Sequence, residues 1–251
     1  MRIFEKQPDN WVDLQNKVAH ILSVCGYEVE TPKTIKTLRG TVEVDVFAKS
    51  SDIIIVCECK HWESNVPQSV VMSFRTVVDE IGANKGIIVA KKGFQSGAYE
   101  FVNNTIVILK SWEEFLDTYK DMYVKSSVKN LLKNKSKFYR LAAQKFEYIN
   151  YYKALSNDDK SIINHLCGEL ERVIFYGMTS MCTSLQFEHD PDIGWNMNYV
   201  DELILKAEEM FNTKFLSYYD YFKYVDEQTS RLAKEIKKIY GITEFVNQYE
   251  Y

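Results

Sequence analysis

Cysteine is scarce in this chain, long apolar runs are absent, and no nucleotide-binding loop of the kind that powers many nucleic-acid enzymes occurs. The five cysteines (25, 57, 59, 167 and 182) form an odd, sparse set in 251 residues. That pattern excludes a disulfide framework and predicts reduced thiols, as in a cytoplasmic protein. No stretch approaches the roughly 18 apolar residues of a membrane span. The opening "MRIFEKQPDNW" lacks the apolar core of a signal peptide, so neither a membrane nor an export route is expected. Gly-Lys-Ser/Thr is missing throughout, which excludes a Walker A loop and assigns any ATP-driven step to another polypeptide. There is no Cys-x₂-Cys pair, internal repeat or low-complexity tract. Cys57, Cys59 and His61 alternate on one strand face, but with no fourth ligand at zinc spacing they read as packing residues.

What is present suffices for a packed protein. Hydrophobic residues make up 46% and aromatics 14%, with charged residues at an ordinary 26%, so disorder is not expected. The net charge of −4 argues against nonspecific coating of nucleic acid, but its distribution is uneven. Residues 1–122 carry 14 Lys+Arg against 17 Asp+Glu, and residues 147–251 carry 10 against 18. Between them, residues 123–146 carry seven bases, among them Lys133, Lys135, Lys137 and Arg140, and no acid. This divides the chain into an N-terminal domain (1–122), a basic connecting helix or linker (123–146) and a C-terminal domain (147–251).

The first part alternates helix and strand. Trp11, Leu14, Val18, Ile21, Leu22 and Cys25 recur at helical spacing, with Asp9 or Asn10 as N-cap and Gly26 at the C-terminal position. "TVEVDVFA" (41–48) alternates with period two, which places Glu43, Asp45 and Phe47 on one strand face. Residues 53–60 read as the next strand, 67–82 as a helix opened by Pro67 and closed by Gly82, and 85–92 as an apolar strand. A short helix follows at "SGAYEFVNN", then a strand at 105–110 and a helix with Ser111 and Glu114 spaced as a capping box. The predicted class is α/β, a mixed sheet covered by helices on both faces, followed by an all-α C-terminal domain. In that second part, residues 215–241 read as one long amphipathic helix, its tyrosines packing the core or a partner, and "QFEHDPDIGWN" (186–196) as a loop. His20, His165 and His189 are isolated, with His20 on the solvated side of its helix.

One stretch breaks the pattern of a buried strand. In "DIIIVCECKHW" (52–62) an apolar run passes straight into Glu58 and Lys60, which lie two apart and therefore on the same face. A charge at the end of a central strand is costly unless it is paired or binds a metal. If the strand carrying Glu43 and Asp45 pairs alongside, three carboxylates and one lysine converge. Carboxylates are hard ligands for Mg²⁺, which polarises a phosphate and activates water, while a lysine offsets transition-state charge.

The order helix, "GTVEVD", "IIIVCECK", helix, "GANKGIIVAKKGFQSGAYEFV" resembles the PD-(D/E)xK nucleases of the restriction-endonuclease-like superfamily, and most closely the Mrr-type catalytic domain. The resemblance covers roughly residues 9–120. It implies that Asp45 and Glu58 hold Mg²⁺ (with Mn²⁺ able to substitute), that Lys60 completes the motif, and that Gln68 occupies a supporting position. Relatives often place a glutamate on the first helix; here Gln15 stands at that position, so either Glu43 or Asp13 supplies the missing charge or the site binds metal less tightly. The family further implies an endonuclease acting on double-stranded DNA as a homodimer or higher oligomer, in defence against foreign or viral DNA. Activity on RNA, single strands or branched DNA stays open, as does a catalytically degenerate scaffold. Lys133, Lys135, Lys137 and Arg140 are candidate phosphate contacts. The acidic C-terminal helices are expected to hold protomers or a protein partner.

Overall fold

In space, the alternating segment 41–48 breaks at Asp45. A computed structural model, which describes residues 1–37, 39–143, 147–177 and 196–246, turns the chain at a bend there. Strand β3 (Gly40–Val44) ends before it and β4 (Val46–Ser50) begins after it. The two belong to different sheets: β3 pairs antiparallel with β2 (Lys33–Thr37) in a two-stranded ribbon, and β4 enters the main sheet. The expected single strand is thus two, and the shared face of Glu43, Asp45 and Phe47 is lost. Burial shows the same break, because Val46, Phe47 and Ala48 are all buried in sequence rather than alternately.

The main sheet runs β1-β4-β5-β6-β7, with β1 at Glu28–Glu30, β5 at Ile53–Lys60, β6 at Lys85–Ala90 and β7 at Val107–Ser111. It is mixed: β4 is antiparallel to β5, whereas β5, β6 and β7 are parallel. Strand β5 is central and carries the apolar run, with Ile55, Val56 and Cys57 almost fully buried. Helix α1 (Trp11–Val24) buries Leu14, Val18, Ile21 and Leu22 against the sheet, capped by the Asn10 side chain on the Asp13 N–H. Trp11, which the spacing places with that apolar face, is 62% exposed at the helix's first position. Helix α2 (Gln68–Ile81) packs Val71, Phe74 and Val78 into the core and ends at Gly82 in the left-handed region. Helix α3 (Ser96–Val102) links β6 to β7.

Helix α4 (Trp112–Ala142) opens with a reciprocal capping box: Ser111 Oγ accepts from the Glu114 N–H at 3.3 Å, and Glu114 Oε2 accepts from the Ser111 N–H at 2.7 Å. It extends without interruption through most of the basic segment. The chain forms two compact units, Arg2–Ser126 and the residues from Ser127 onward. His20 is partly buried between Phe4 and Tyr123, not solvated, and burial holds its imidazole below the ordinary range. The periodicity of α1 leaves His20 off the apolar stripe, but Phe4 and the Tyr123 ring come to cover it.

The second unit is helical: after the end of α4 come α5 (Ile149–Ala154), α6 (Asn157–Gly177), α7 (Met197–Phe211) and α8 (Tyr218–Tyr240). Helix α6 packs against α7 and α8. Tyr218 and Tyr221 on α8 are fully buried, and the Tyr221 hydroxyl donates to the Gly177 carbonyl at 3.0 Å. These tyrosines are core. Residues 186–195 of the predicted loop, Lys145, Cys182 and His189 lie outside the described residues.

Candidate active site

The end of β5 gathers the charged groups. Glu58 and Lys60 point to one face and form an ion pair, both side chains about four-fifths buried. The Cys57 and Cys59 thiols are buried, and burial raises both well above the ordinary thiol range. His61 Nε2 lies 2.9 Å from the Pro8 carbonyl. Asp45 stands on the neighbouring segment, at the bend, and its Oδ2 accepts a hydrogen bond from the Cys59 N–H at 2.7 Å. That contact ties the Asp45 carboxylate to the strand between Glu58 and Lys60.

Glu58 has one cation and one further acid acting on it. Burial pushes the Glu58 carboxyl up; the Lys60 hydrogen bond opposes this, and the Asp45 charge raises it again, leaving a net upward shift. Two carboxylates placed so that one disfavours ionisation of the other are short of positive charge.

Asp45 is held from behind by its own backbone. Gln15, only 5% exposed on α1, donates from Nε2 to the Asp45 carbonyl and to Thr31 Oγ1, each at 2.8 Å. The Thr31 hydroxyl also donates to the Asp45 carbonyl, at 2.9 Å. Both lone pairs of that carbonyl are therefore occupied, and the bend is fixed by two side chains. Gln15 thus faces the backbone of Asp45 with a donor, where a metal ligand would present an acceptor. Asp13 is engaged elsewhere, paired with Lys17 at 2.8 Å and accepting from the Asp9 N–H at 2.9 Å. Burial works to raise its pKa, but these partners hold its carboxyl below the ordinary range.

Glu43 stays on the ribbon. It lines a cavity of about 320 Å³ together with Glu58 and with Ser69, Ser73 and Phe74 of α2. Among the described residues, no group of three His, Cys, Asp or Glu side chains is gathered closely enough to hold a metal. The expected convergence of three carboxylates is therefore not formed, because the bend at Asp45 sends β3 out of the main sheet. The pair that does form fits a hard cation: Mg²⁺ keeps several waters and takes one or two protein carboxylates. Gln68 opens α2 with its side-chain oxygen against Gly97, 3.0 Å from where a Cβ there would stand.

The four basic candidates of α4 do not share one exposed face. Lys133 is exposed; Lys137 lies over the Phe138 and Phe245 rings; Arg140 approaches Glu147 at 3.8 Å; Lys135 lines a cavity with Arg172 and Tyr139. Sequence reasoning missed Thr31 and Trp62. Thr31 carries no signal of its own. Trp62 follows the motif directly and is 39% exposed, with Lys60 Nζ 5.4 Å from its ring.

No curated protein matches significantly. A solved structure described as the protein of unknown function AF1548 is 17% identical, at a TM-score of 0.40 over 66% of this chain and 98% of its own. No helix among the described residues is long and apolar enough to cross a membrane. Residues 9–119, which contain Gln15, Asp45, Glu58 and Lys60, match the model of the Mrr_cat family, restriction endonuclease.

Proposed function

We infer that this protein is a metal-dependent endonuclease that hydrolyses phosphodiester bonds of DNA. The observation that carries this reading is the buried Glu58–Lys60 pair, with the Asp45 carboxylate tied to the backbone between them. Asp45 and Glu58 would hold the divalent ion, Mg²⁺ or Mn²⁺. When bound, such an ion lowers the pKa of water and neutralises charge on the phosphate. Binding it would also offset the Asp45 charge, which adds to the upward shift that burial gives Glu58.

Lys60 carries two tasks in this scheme. With Glu58 engaged, its ammonium is released to a phosphate oxygen, where it offsets the charge that builds up in the transition state. Held beside Glu58 by their two-residue spacing on β5, it also orients the attacking water. Gln15 and Thr31 act as positioning residues by fixing the bend that aims Asp45. Restriction of foreign DNA is the biological role this reading favours. Assembly into a dimer or larger oligomer would let two such centres cut both strands, with the second unit holding the copies or a protein partner together. Phosphate contacts from Lys133, Lys135, Lys137 and Arg140 belong to the same reading.

A plasmid-nicking assay tests it. Wild-type protein with Mg²⁺ or Mn²⁺ is expected to convert supercoiled plasmid to nicked and linear forms, and chelation is expected to stop the reaction. Lys60→Ala and Asp45→Asn should each abolish it. Cleavage that persists in both variants would show that another centre is responsible.

A further inference from the structure

The ribbon that leaves the sheet at Asp45 has a face with no assigned role. In its register Thr34 stands opposite Glu43 and Lys36 opposite Thr41, and all four are exposed. The other face is half-buried or buried: Ile35 pairs with Val42 and packs on the core, and Lys33 pairs with Val44. Lys33 also lies over the Phe47 ring at 3.7 Å and pairs with Glu30, so it belongs to the inner side. The outward row is thus short and polar, and it contains no aromatic residue.

Charge on this ribbon is opposite to that of the domain that carries it. Residues 33–44 hold Lys33, Lys36 and Arg39 against the single acid Glu43, while residues 1–122 as a whole hold more acids than bases. That acid stands at the base of the ribbon, beside Glu58 in the cavity. Beyond it the outer face offers Lys36 and, at the turn, Arg39, whose side chain remains 77% exposed while its Nε pairs with Glu80 at 3.0 Å.

We propose that the β2–β3 ribbon is the element with which this protein engages B-form duplex DNA beside the cleavage site, its outward residues Thr34, Lys36 and Thr41 entering the major groove. This rests on the nuclease reading of Asp45, Glu58 and Lys60. A two-stranded ribbon is one of the two elements that the roughly 12 Å major groove admits, and its five-residue strands reach about 15 Å. Because the ribbon begins at Asp45, a duplex with its phosphate at the acid pair has its groove within that reach. Lysine and threonine are donors suited to base edges, and threonine adds a methyl for contact with thymine. Single strands are gripped mainly by aromatic stacking, which this row lacks. The deep, narrow major groove of A-form RNA does not accept such a ribbon.

Fluorescence anisotropy on the full chain, in EDTA to prevent cleavage, tests the proposal. The probes are a labelled 25-base-pair DNA duplex, a single strand and an RNA duplex of the same length, read across 50–200 mM salt. Lys36→Ala should make the DNA-duplex salt slope shallower by about one contact, which is a roughly 3.5-fold smaller loss of affinity over that range. Lys36→Glu should weaken duplex binding more, and Thr34→Val with Thr41→Val should weaken it without changing the slope. Lys85→Ala, exposed at the opposite end of the parallel strands, serves as the control and should change nothing. Unchanged duplex affinity and slope in Lys36→Glu overturns the proposal, as does RNA duplex or single strand bound as tightly as DNA. Binding that depends on Lys36 in a protein that cuts nothing keeps the ribbon and retires the nuclease reading. Metal-dependent cutting with full duplex affinity in Lys36→Glu does the reverse.

Discussion

Replacing Gln15 with glutamate separates two accounts of the first helix. If position 15 faces the metal, Gln15→Glu restores an acidic ligand and tightens Mg²⁺ binding. The structure instead places the Gln15 amide as a double donor, 2.8 Å from both the Asp45 carbonyl and Thr31 Oγ1, in a site only 5% exposed. An ionised carboxylate offers no donor, so acceptor would face acceptor across the Asp45 carbonyl. One lost hydrogen bond is worth about 1 kcal/mol, and the new buried carboxylate, turned toward the carbonyl without a donor, adds about 1–3 kcal/mol. A destabilisation of roughly 2–4 kcal/mol follows, a fall in melting temperature on the order of 10 °C. The substituted carboxyl can escape by taking up a proton, so its folded pKa lies above the unfolded value. The loss is therefore full at neutral pH and shrinks as the pH falls through that raised value. Thermal unfolding from pH 5 to 8, with Mg²⁺ affinity by calorimetry alongside, reads both effects. An unchanged or higher melting temperature together with tighter Mg²⁺ binding would refute the positioning role of Gln15.

Three further substitutions check other parts of the structure. Asp45→Asn keeps an acceptor for the Cys59 N–H but removes the charge that raises Glu58. Metal-free stability is therefore expected to stay equal or rise by up to about 1 kcal/mol while cleavage is lost, and the Mg²⁺-dependent rise in melting temperature should vanish; a strongly destabilised variant would make Asp45 a structural residue. His20 is depressed below its ordinary 6.5 by burial, so the unfolded chain binds its proton more tightly. Stability should be full above that value and decline as the pH falls below it, and urea titrations of His20→Gln should show a flatter profile over pH 5–7. Gly86→Ala would set its Cβ 2.4 Å from Val78 Cγ2 and 3.0 Å from Phe74 Cε1, both side chains buried in the core. Overpacking of roughly 1–3 kcal/mol should appear as a lower urea midpoint, with no specific effect on metal affinity.

The sequence made the long elements legible because their signals are local. The apolar run 53–56, the Pro67 and Gly82 boundaries of α2 and the Ser111–Glu114 box each specify their element from a few neighbouring residues, and the structure forms β5, α2 and the start of α4 accordingly. Within the candidate site, the Glu58–Lys60 pair was readable from strand period alone. The break at Asp45 was not, because "TVEVDVFA" alternates well enough to be one strand. Only the pairing of β3 with β2, a partner of weak sequence pattern, shows that its two halves go to different sheets. Thr31 and the donor role of Gln15 depend on which groups meet across the fold, and His20 on Phe4 and Tyr123 closing over it. Composition and spacing carry no record of such meetings.

The same bend explains why the site holds two acids where the pattern suggested three. A strand continuing straight through Asp45 would keep Glu43 in the main sheet and off the ribbon. By turning, the chain spends Asp45 on the acid pair and frees β2 and β3 to project from the sheet, with Glu43 at their root. The turn needs support, since its carbonyl would otherwise be left without partners inside the fold. Gln15 and Thr31 provide that support from α1 and from the segment before β2. An amide at position 15 can donate to the Asp45 carbonyl at the bend, which an ionised carboxylate cannot. A chain that loses the amide keeps only the Thr31 hydroxyl on that carbonyl, so the bend from which the ribbon leaves the sheet is held by one side chain in place of two.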